Sequence, residues 1–184
     1  MLVDSSDFRD WIEPFNYSMI YRDRTYVGSR GGGYTVCMSP RILVPSRKTL
    51  KDYSYVSYFK DDFSKFTTPF DIPEDGYFML HQGQRVIVET EETLKLPLSG
   101  VALVAYSIPR LALLGLSITS SVIFPDEIDT RVDNSKVTKL KLAVKNDSDR
   151  NIQLIRGMPI AVILFQKYET VKIPYGFDKY DYTA

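Results

Sequence analysis

The sequence has very little of the side chains that most often build metal and redox sites. Cys37 is the only cysteine and His81 the only histidine among 184 residues. One thiol cannot form an intrachain disulfide, and a single residue of each kind cannot assemble a cysteine-based or a multi-histidine zinc site. The composition therefore excludes these sites, and we expect the cytoplasm as the compartment and no metal bound by the protein alone.

Excess charge of one sign and long apolar runs are also missing. Lys and Arg number 23 against 23 Asp and Glu, so no global basic field is present to neutralise nucleic-acid phosphates. No apolar run approaches membrane-spanning length, and the first fifteen residues carry acids where a signal peptide needs positive charge. We therefore expect neither nucleic acid nor a membrane as a partner.

What the sequence does have is enough apolar residues for one core. With 44% apolar residues over 184 positions, we predict a single domain over residues 1–184. From Tyr77 onward the sequence shows short β-rich runs, with Gly83 predicted to make a hairpin or a sharp strand connection. Gly157 is predicted to turn the chain before a strand that starts near Pro159.

The segment 137–146 gives the clearest period-2 pattern. It places Leu140, Leu142 and Val144 on one face of a strand, and the lysines at positions 139, 141 and 145 on the other. This pattern is typical of a half-buried strand. Together the runs predict an all-β fold, either a barrel or a sandwich.

Few helices are predicted. One covers Asp4–Ile12, and another of about two turns has Ser107 as its cap, Pro109 in its first turn and Gly115 at its end. Residues 46–76 mix aromatics with charge and lack a sustained period, which indicates an irregular insertion. The C-terminal tail, residues 168–184, is rich in tyrosine, and its rings would gain from burial.

Four features suggest chemistry, each with a simpler alternative. The glycines in residues 28–35 permit a phosphate cradle or a plain turn. The carboxylates Asp126, Glu127, Asp129 and Asp133 could bind Mg²⁺ or activate water, or belong to a solvated loop. For His81, a structural or exposed role is predicted over a catalytic one. The lysine face of 137–146 could attract phosphate, but a solvated sheet face is the simpler interpretation.

The order of the segments resembles the dCTP deaminase/dUTPase superfamily. The strand pair ending in Thr90, Glu92, Leu96 and Pro97 is similar to that family's Thr-x-Glu and Leu-Pro pattern. The strand "RGMPIAVILF" is similar to its Pro-Gly-Met-x-Ile-x-Gln-Leu-x-Phe strand, and "DKYDYTA" to its Lys-Tyr-containing tail. The resemblance implies a distorted β-barrel of the β-clip type, a homotrimer, and a deoxynucleoside triphosphate as ligand, with Mg²⁺ if one is bound.

The same resemblance shows that the family's catalytic groups are largely missing. Its Arg-Ser-Ser-Leu-Ala-Arg-Leu-Gly-Leu motif falls on residues 108–116, where Ile108 and Leu113 replace both arginines and Pro109 and Arg110 replace both serines. A register shifted by two residues instead places Tyr106 and Ser107 on Arg-Ser, which would retain one serine. Its glutamate general base, which activates water for attack at cytosine C4, falls on Ala143. The glutamine of the last strand becomes a valine, and the early aspartate becomes a serine.

Two functions follow as hypotheses. The first is a catalytically impaired relative that binds a deoxypyrimidine nucleotide or a protein partner at clefts between subunits. The second is an active dCTP deaminase or dUTPase with rearranged residues. The residues predicted to bind nucleotide are Ser107, Arg110, Lys179 and Tyr180. Those predicted to catalyse in an active enzyme are Asp126, Asp129 and Asp133.

Overall fold

A computed structural model describes residues 9–14, 19–21, 25–30, 33–46, 66–95, 101–119, 122–123 and 138–167. The described strands are β1 Ile12–Glu13, β2 Met19–Tyr21, β3 Thr25–Arg30, β4 Gly33–Pro45, β5 Thr67–Asp71, β6 Phe78–Leu80, β7 Arg85–Leu94, β8 Val101–Ser107, β9 Leu116–Ile118, β10 Val122–Ile123, β11 Thr138–Asn146, β12 Ile152–Leu154 and β13 Pro159–Lys167. A 3-10 turn covers Arg9–Trp11, and one short helix, α1, covers Pro109–Leu113.

One large antiparallel sheet dominates the fold. Its strands follow the order β10-β8-β13-β4-β7-β11-β9, and β12 pairs separately with β6. The long strand β4 pairs with β3 and β13 through its first half and with β5 and β7 through its second half. The pairing of β4 with β7 shifts between Met38 and Ile42, where β4 passes from one set of neighbours to the other. The all-β, barrel-like prediction is confirmed.

The strand phase predicted for 137–146 is also confirmed. Leu140, Leu142 and Val144 of β11 are buried in the core, while Lys139 and Lys141 are exposed on the opposite face. Seven consecutive residues of β4, from Gly33 to Ser39, are buried, so that part of β4 is covered on both faces.

Helix α1 forms where it was predicted but is capped differently. Pro109 opens the helix, and Gly115 follows it with a φ of 84° that favours glycine. The N-cap is Ile108, with no side-chain cap, so the prediction of Ser107 as the cap is wrong. The Ser107 hydroxyl instead accepts the Ile118 N–H at 3.0 Å, which ties β8 to β9.

The helix predicted over Asp4–Ile12 does not extend to Ile12. Of the segment Asp4–Ile12, the structure describes only its last residues, where the 3-10 turn gives way to β1 at Ile12. Ile12 pairs with Leu94 of β7 and is buried, so strand pairing supersedes the helical pattern there.

Two turn predictions have different outcomes. Gly157 adopts a φ of 71° just before β13, as predicted. Gly83 also turns the chain, but β6 pairs with β12 rather than with β7, so the segment is a strand connection and not a hairpin. In the glycine-rich stretch, Arg30 of β3 pairs with Gly33 of β4, which favours the plain-turn interpretation; residues 31–32 lie outside the described part.

The predicted irregular insertion contains regular structure. Within residues 46–76, β5 pairs with β4 over Thr67–Asp71, and residues 47–65 lie outside the described part of the chain. Phe70 of β5 packs edge-on against Phe78 at 5.4 Å between ring centroids. Among the described residues, no helix has the length and apolar character to cross a membrane.

Candidate functional site

A buried polar network fixes the strand that carries the Thr-x-Glu pair. The Thr90 hydroxyl donates to the Glu92 carbonyl oxygen at 2.7 Å and accepts the Leu140 N–H at 3.0 Å. The Glu92 carboxylate, only 2% exposed, accepts the Cys37 N–H at 2.9 Å. Both residues therefore hold backbone groups at the places where β4 and β11 shift register against β7. The pair belongs to the sequence pattern that resembles the family, but the pattern alone does not indicate this structural role.

Burial strongly changes the pKa values of Glu92 and Cys37. It raises the pKa of Glu92 to about 7, although the hydrogen bond from the Cys37 N–H acts in the opposite direction. Burial, reinforced by the negative charges of Glu92 and Glu91, raises the pKa of the Cys37 thiol to about 12. Cys37 is therefore a buried, protonated thiol, unsuited to nucleophilic chemistry.

A second buried side chain, Asn146, shapes the turn beside α1. Its amide nitrogen donates to the Leu80 and Arg150 carbonyl oxygens at 3.0 and 2.6 Å. Its amide oxygen accepts the Ser148 N–H at 3.0 Å. Gly115 approaches this turn so closely that an added Cβ would lie 2.6 Å from the Ser148 Cβ. This packing gives a physical reason for a glycine at position 115, where the resemblance places the motif's glycine.

The outward face of β11 shows what has replaced the expected general base. Ala143 is half-buried there and pairs with Ile87 of β7. Next to it on the same face, Lys141 pairs with Glu89. Because directly paired residues and those two positions away share a face, Glu89 is the diagonal neighbour of Ala143.

The neighbouring Lys145 on this face forms an ion pair with Asp147. Hydrogen bonds from the Lys145 ammonium and the Ser117 hydroxyl hold the pKa of Asp147 below its ordinary value. The lysine face is exposed, as the solvated-sheet interpretation predicts.

The two positions that the resemblance aligns with the family's arginines lie in different surroundings, one at each end of helix α1. Ile108, at the first arginine position, is buried in the core, where a guanidinium would need a partner. Leu113, at the second, is 88% exposed, so an arginine would be tolerated there sterically. Packing therefore does not explain why position 113 holds a leucine and not an arginine.

A cleft of about 920 Å³ opens beside α1. One wall is α1 itself, and the others are the β5–β6 turn, the β12–β13 turn, and single residues of β4 and β7. Its lining is partly apolar and partly charged. The charged members are Glu74, Asp75, Glu91, Arg110 and Arg156.

The predicted nucleotide-binding residues are not all brought together. Arg110 lines the cleft, whereas Ser107 is not among the lining residues and uses its hydroxyl to accept the Ile118 N–H. Lys179 and Tyr180 lie outside the described residues. Sequence reasoning missed Arg156, because its position in the turn between β12 and β13 gave no signal of proximity to Arg110.

The three predicted catalytic aspartates also remain predictions. Asp126, Asp129 and Asp133 lie outside the described residues. Within the described part of the chain, no group of three or more His, Cys, Asp or Glu side chains is arranged to hold a metal ion. His81 is exposed, and its Nδ1 lies 3.3 Å from the Asn151 amide oxygen, in keeping with an exposed role.

Comparison with known proteins gives structural matches only. No protein-family model and no curated protein sequence matches this chain. A 2'-deoxycytidine 5'-triphosphate deaminase from Agrobacterium tumefaciens matches with a TM-score of 0.57 and 14% identity, covering 90% of this chain and 48% of the deaminase. A dUTPase from Streptococcus mutans matches with a TM-score of 0.48 and 13% identity, covering 88% and 95%. The dUTPase from phage phi11 of S. aureus matches with a TM-score of 0.42 and 14% identity, covering 77% and 97%.

The deaminase match carries the structural argument. This chain spans about half the length of that deaminase, and at 14% identity the likeness concerns the fold alone. It agrees with the order of segments in the sequence and with the barrel-like sheet. The chain therefore has a dCTP deaminase/dUTPase-like fold.

Proposed function

We propose that this protein is a homotrimeric, catalytically impaired relative of the dCTP deaminases and dUTPases that binds a deoxypyrimidine nucleotide at clefts between its subunits. The observation that carries this proposal is the alanine at position 143. It occupies the outward strand position where the resemblance places the glutamate general base.

Deamination at cytosine C4 needs a group that takes a proton from the attacking water. A methyl group cannot accept that proton, and the protonated ammonium of Lys141, two residues away on the same face, cannot either. Two arginines, two serines and a glutamine of the family pattern are also replaced. Because groups that act as a unit lose almost all activity when one is removed, the combined loss leaves little chemistry beyond binding.

Binding survives such losses more readily than catalysis. A cleft lined by apolar and charged residues lies beside α1 within one chain, and we propose that it is one subunit's side of the site between subunits; Arg110 lines it. Pockets of this size are typical of small-molecule sites. A protein partner at the same cleft is the other outcome that the lost catalytic groups permit.

One observation favours the second hypothesis, an active enzyme with rearranged residues. Glu89 lies diagonally next to Ala143 on the outward face of the sheet, so a carboxylate shares that face with the vacated position at the usual diagonal spacing of about 7–8 Å. In an active enzyme, Glu89 would take the place of the missing general base. Alternatively, Asp126, Asp129 and Asp133 would act together with Mg²⁺ brought by a bound triphosphate.

The binding proposal is tested by thermal unfolding with a panel of nucleotides. A ligand at one hundred times its dissociation constant stabilises the folded state by about 2.7 kcal/mol. We expect dCMP, dCTP or their uracil counterparts to raise the melting temperature, and light scattering to give three times the monomer mass. If no deoxypyrimidine nucleotide raises the melting temperature, nucleotide binding is refuted and a partner protein becomes the better occupant.

A further inference from the structure

The cleft beside α1 has an unusual charge distribution for a site that would take a nucleoside triphosphate. Three carboxylates line it, those of Glu74, Asp75 and Glu91, against the guanidinium groups of Arg110 and Arg156. Three negative and two positive charges leave one net negative charge. Repulsion from this net charge grows with the charge of the ligand, so a triphosphate with about four negative charges meets about twice as much of it as a monophosphate with about two.

The two arginines nevertheless share one cleft although they come from different elements. Arg110 belongs to α1, and Arg156 belongs to the turn between β12 and β13. The Arg156 Nη1 lies 4.0 Å from the Glu74 Oε1, and both side chains are exposed, so this ion pair is weak and a stronger anion could replace it. A guanidinium binds phosphate oxygens in pairs, which gives both affinity and orientation.

We propose that Arg110 and Arg156 bind the single phosphate group of a nucleoside monophosphate in this cleft, and that the carboxylates exclude the triphosphate. The inference rests on the proposed function, nucleotide binding, and specifies its ligand. A monophosphate has about two negative charges near neutral pH, matching two guanidinium groups. Each further phosphate adds negative charge, which the three carboxylates of the cleft repel.

The rest of the lining indicates the kind of base. Leu111, Leu114 and Ile155 give the cleft apolar surface against which a sugar and a base can pack. Carboxylates accept hydrogen bonds from the exocyclic amino group of cytosine, whereas uracil has a carbonyl oxygen at that position. The cleft therefore favours dCMP over dUMP.

Calorimetric titration of the full chain in EDTA, with dCMP, dUMP and dCTP as separate probes, tests the inference. We expect dCMP to bind most tightly. Arg156→Ala should weaken dCMP binding by about tenfold or more, the usual effect of removing a hydrogen bond to a charged group. Arg150→Ala is the matched control, because that arginine is equally close in sequence to β12 but does not line the cleft; its affinity should be unchanged.

A double variant separates ligand selection from folding. Glu74→Gln with Asp75→Asn removes two repelling charges at exposed positions, so it should raise affinity for dCTP more than for dCMP. A change of preference in this direction cannot come from mere destabilisation.

The outcomes that contradict the inference differ from those that contradict nucleotide binding. Tighter binding of dCTP than of dCMP in EDTA, or an Arg156→Ala variant with wild-type affinity for dCMP, overturns the monophosphate site while leaving nucleotide binding intact. Tighter binding of dUMP than of dCMP overturns the role given to the carboxylates. Absence of binding by every nucleotide overturns the proposed function and this inference together.

Discussion

The buried carboxylate of Glu92 makes the stability of the protein depend on pH in a direction opposite to that of most acids. Its pKa is about 7 in the folded protein against an ordinary value of 4.5, chiefly because burial penalises the charged form. A raised pKa means that the folded state holds the proton more tightly than the unfolded chain does. The stabilisation is therefore complete below pH 4.5 and is lost as the pH rises through 7.

The size of the effect follows from those two values. One pH unit between them corresponds to about 1.4 kcal/mol, so ionisation of Glu92 costs the folded state about 3 kcal/mol between pH 4.5 and pH 8. Glu92→Gln keeps an oxygen that can accept the Cys37 N–H but cannot ionise. The free energy of unfolding of the variant, minus that of the wild type, should therefore increase by about 3 kcal/mol over this pH range.

Denaturant unfolding at several pH values measures this difference. The only tryptophan, Trp11, packs edge-on against Phe165 at 5.6 Å between ring centroids and reports loss of the core by fluorescence. Glu89→Gln is the matched control, because it removes a carboxylate from the same strand that does not contact the Cys37 N–H. The quantity to follow is the free energy of unfolding of Glu92→Gln minus that of the wild type. If it stays constant or falls as the pH rises, the reasoning is refuted.

Three further predictions, two of them with a paired control variant, test the packing by the same unfolding measurement. Leu142→Ala should cost about 2–5 kcal/mol because the side chain is buried in the core, whereas Lys141→Ala should be nearly silent; equal costs would mean that the strand phase is wrong. Gly115→Ala combines a φ of 84° with a clash and should cost more than Gly83→Ala, which has a φ of 71° and open space; a smaller cost at 115 would contradict the close approach. Thr90→Val leaves a buried backbone N–H without its acceptor and should cost about 1–3 kcal/mol, so a neutral effect would argue against the buried network.

Local sequence patterns predicted the parts of the fold that depend on near neighbours. The alternation of leucine and lysine in β11 follows from one buried and one solvated face, and Gly115 and Gly157 supply conformations that other residues adopt at a cost. The partner of β6 was not predictable in this way. β12 lies about seventy residues further along the chain, and nothing in the local pattern around Gly83 selects it over β7.

The candidate site was predictable only where it lies on a recognisable segment. Arg110 was identified because α1 matches a family motif, and the structure places it in the cleft. Ser107 was predicted to bind nucleotide because a two-residue shift of the family motif places it on a serine, but its hydroxyl accepts a backbone N–H that only the folded sheet brings near. Arg156 was missed because the cleft is formed by turns that are far apart in sequence.

The central claim, loss of catalysis with retention of the fold, is tested most directly by incubating the purified protein with dCTP and with dUTP in the presence of Mg²⁺ and assaying for uracil nucleotide and pyrophosphate. The account predicts no product above that of a mock purification, because Ala143 offers no group to take the proton from water. Turnover that co-purifies with the protein and disappears in Glu89→Gln, or when Asp126, Asp129 and Asp133 are changed to asparagine, would contradict it.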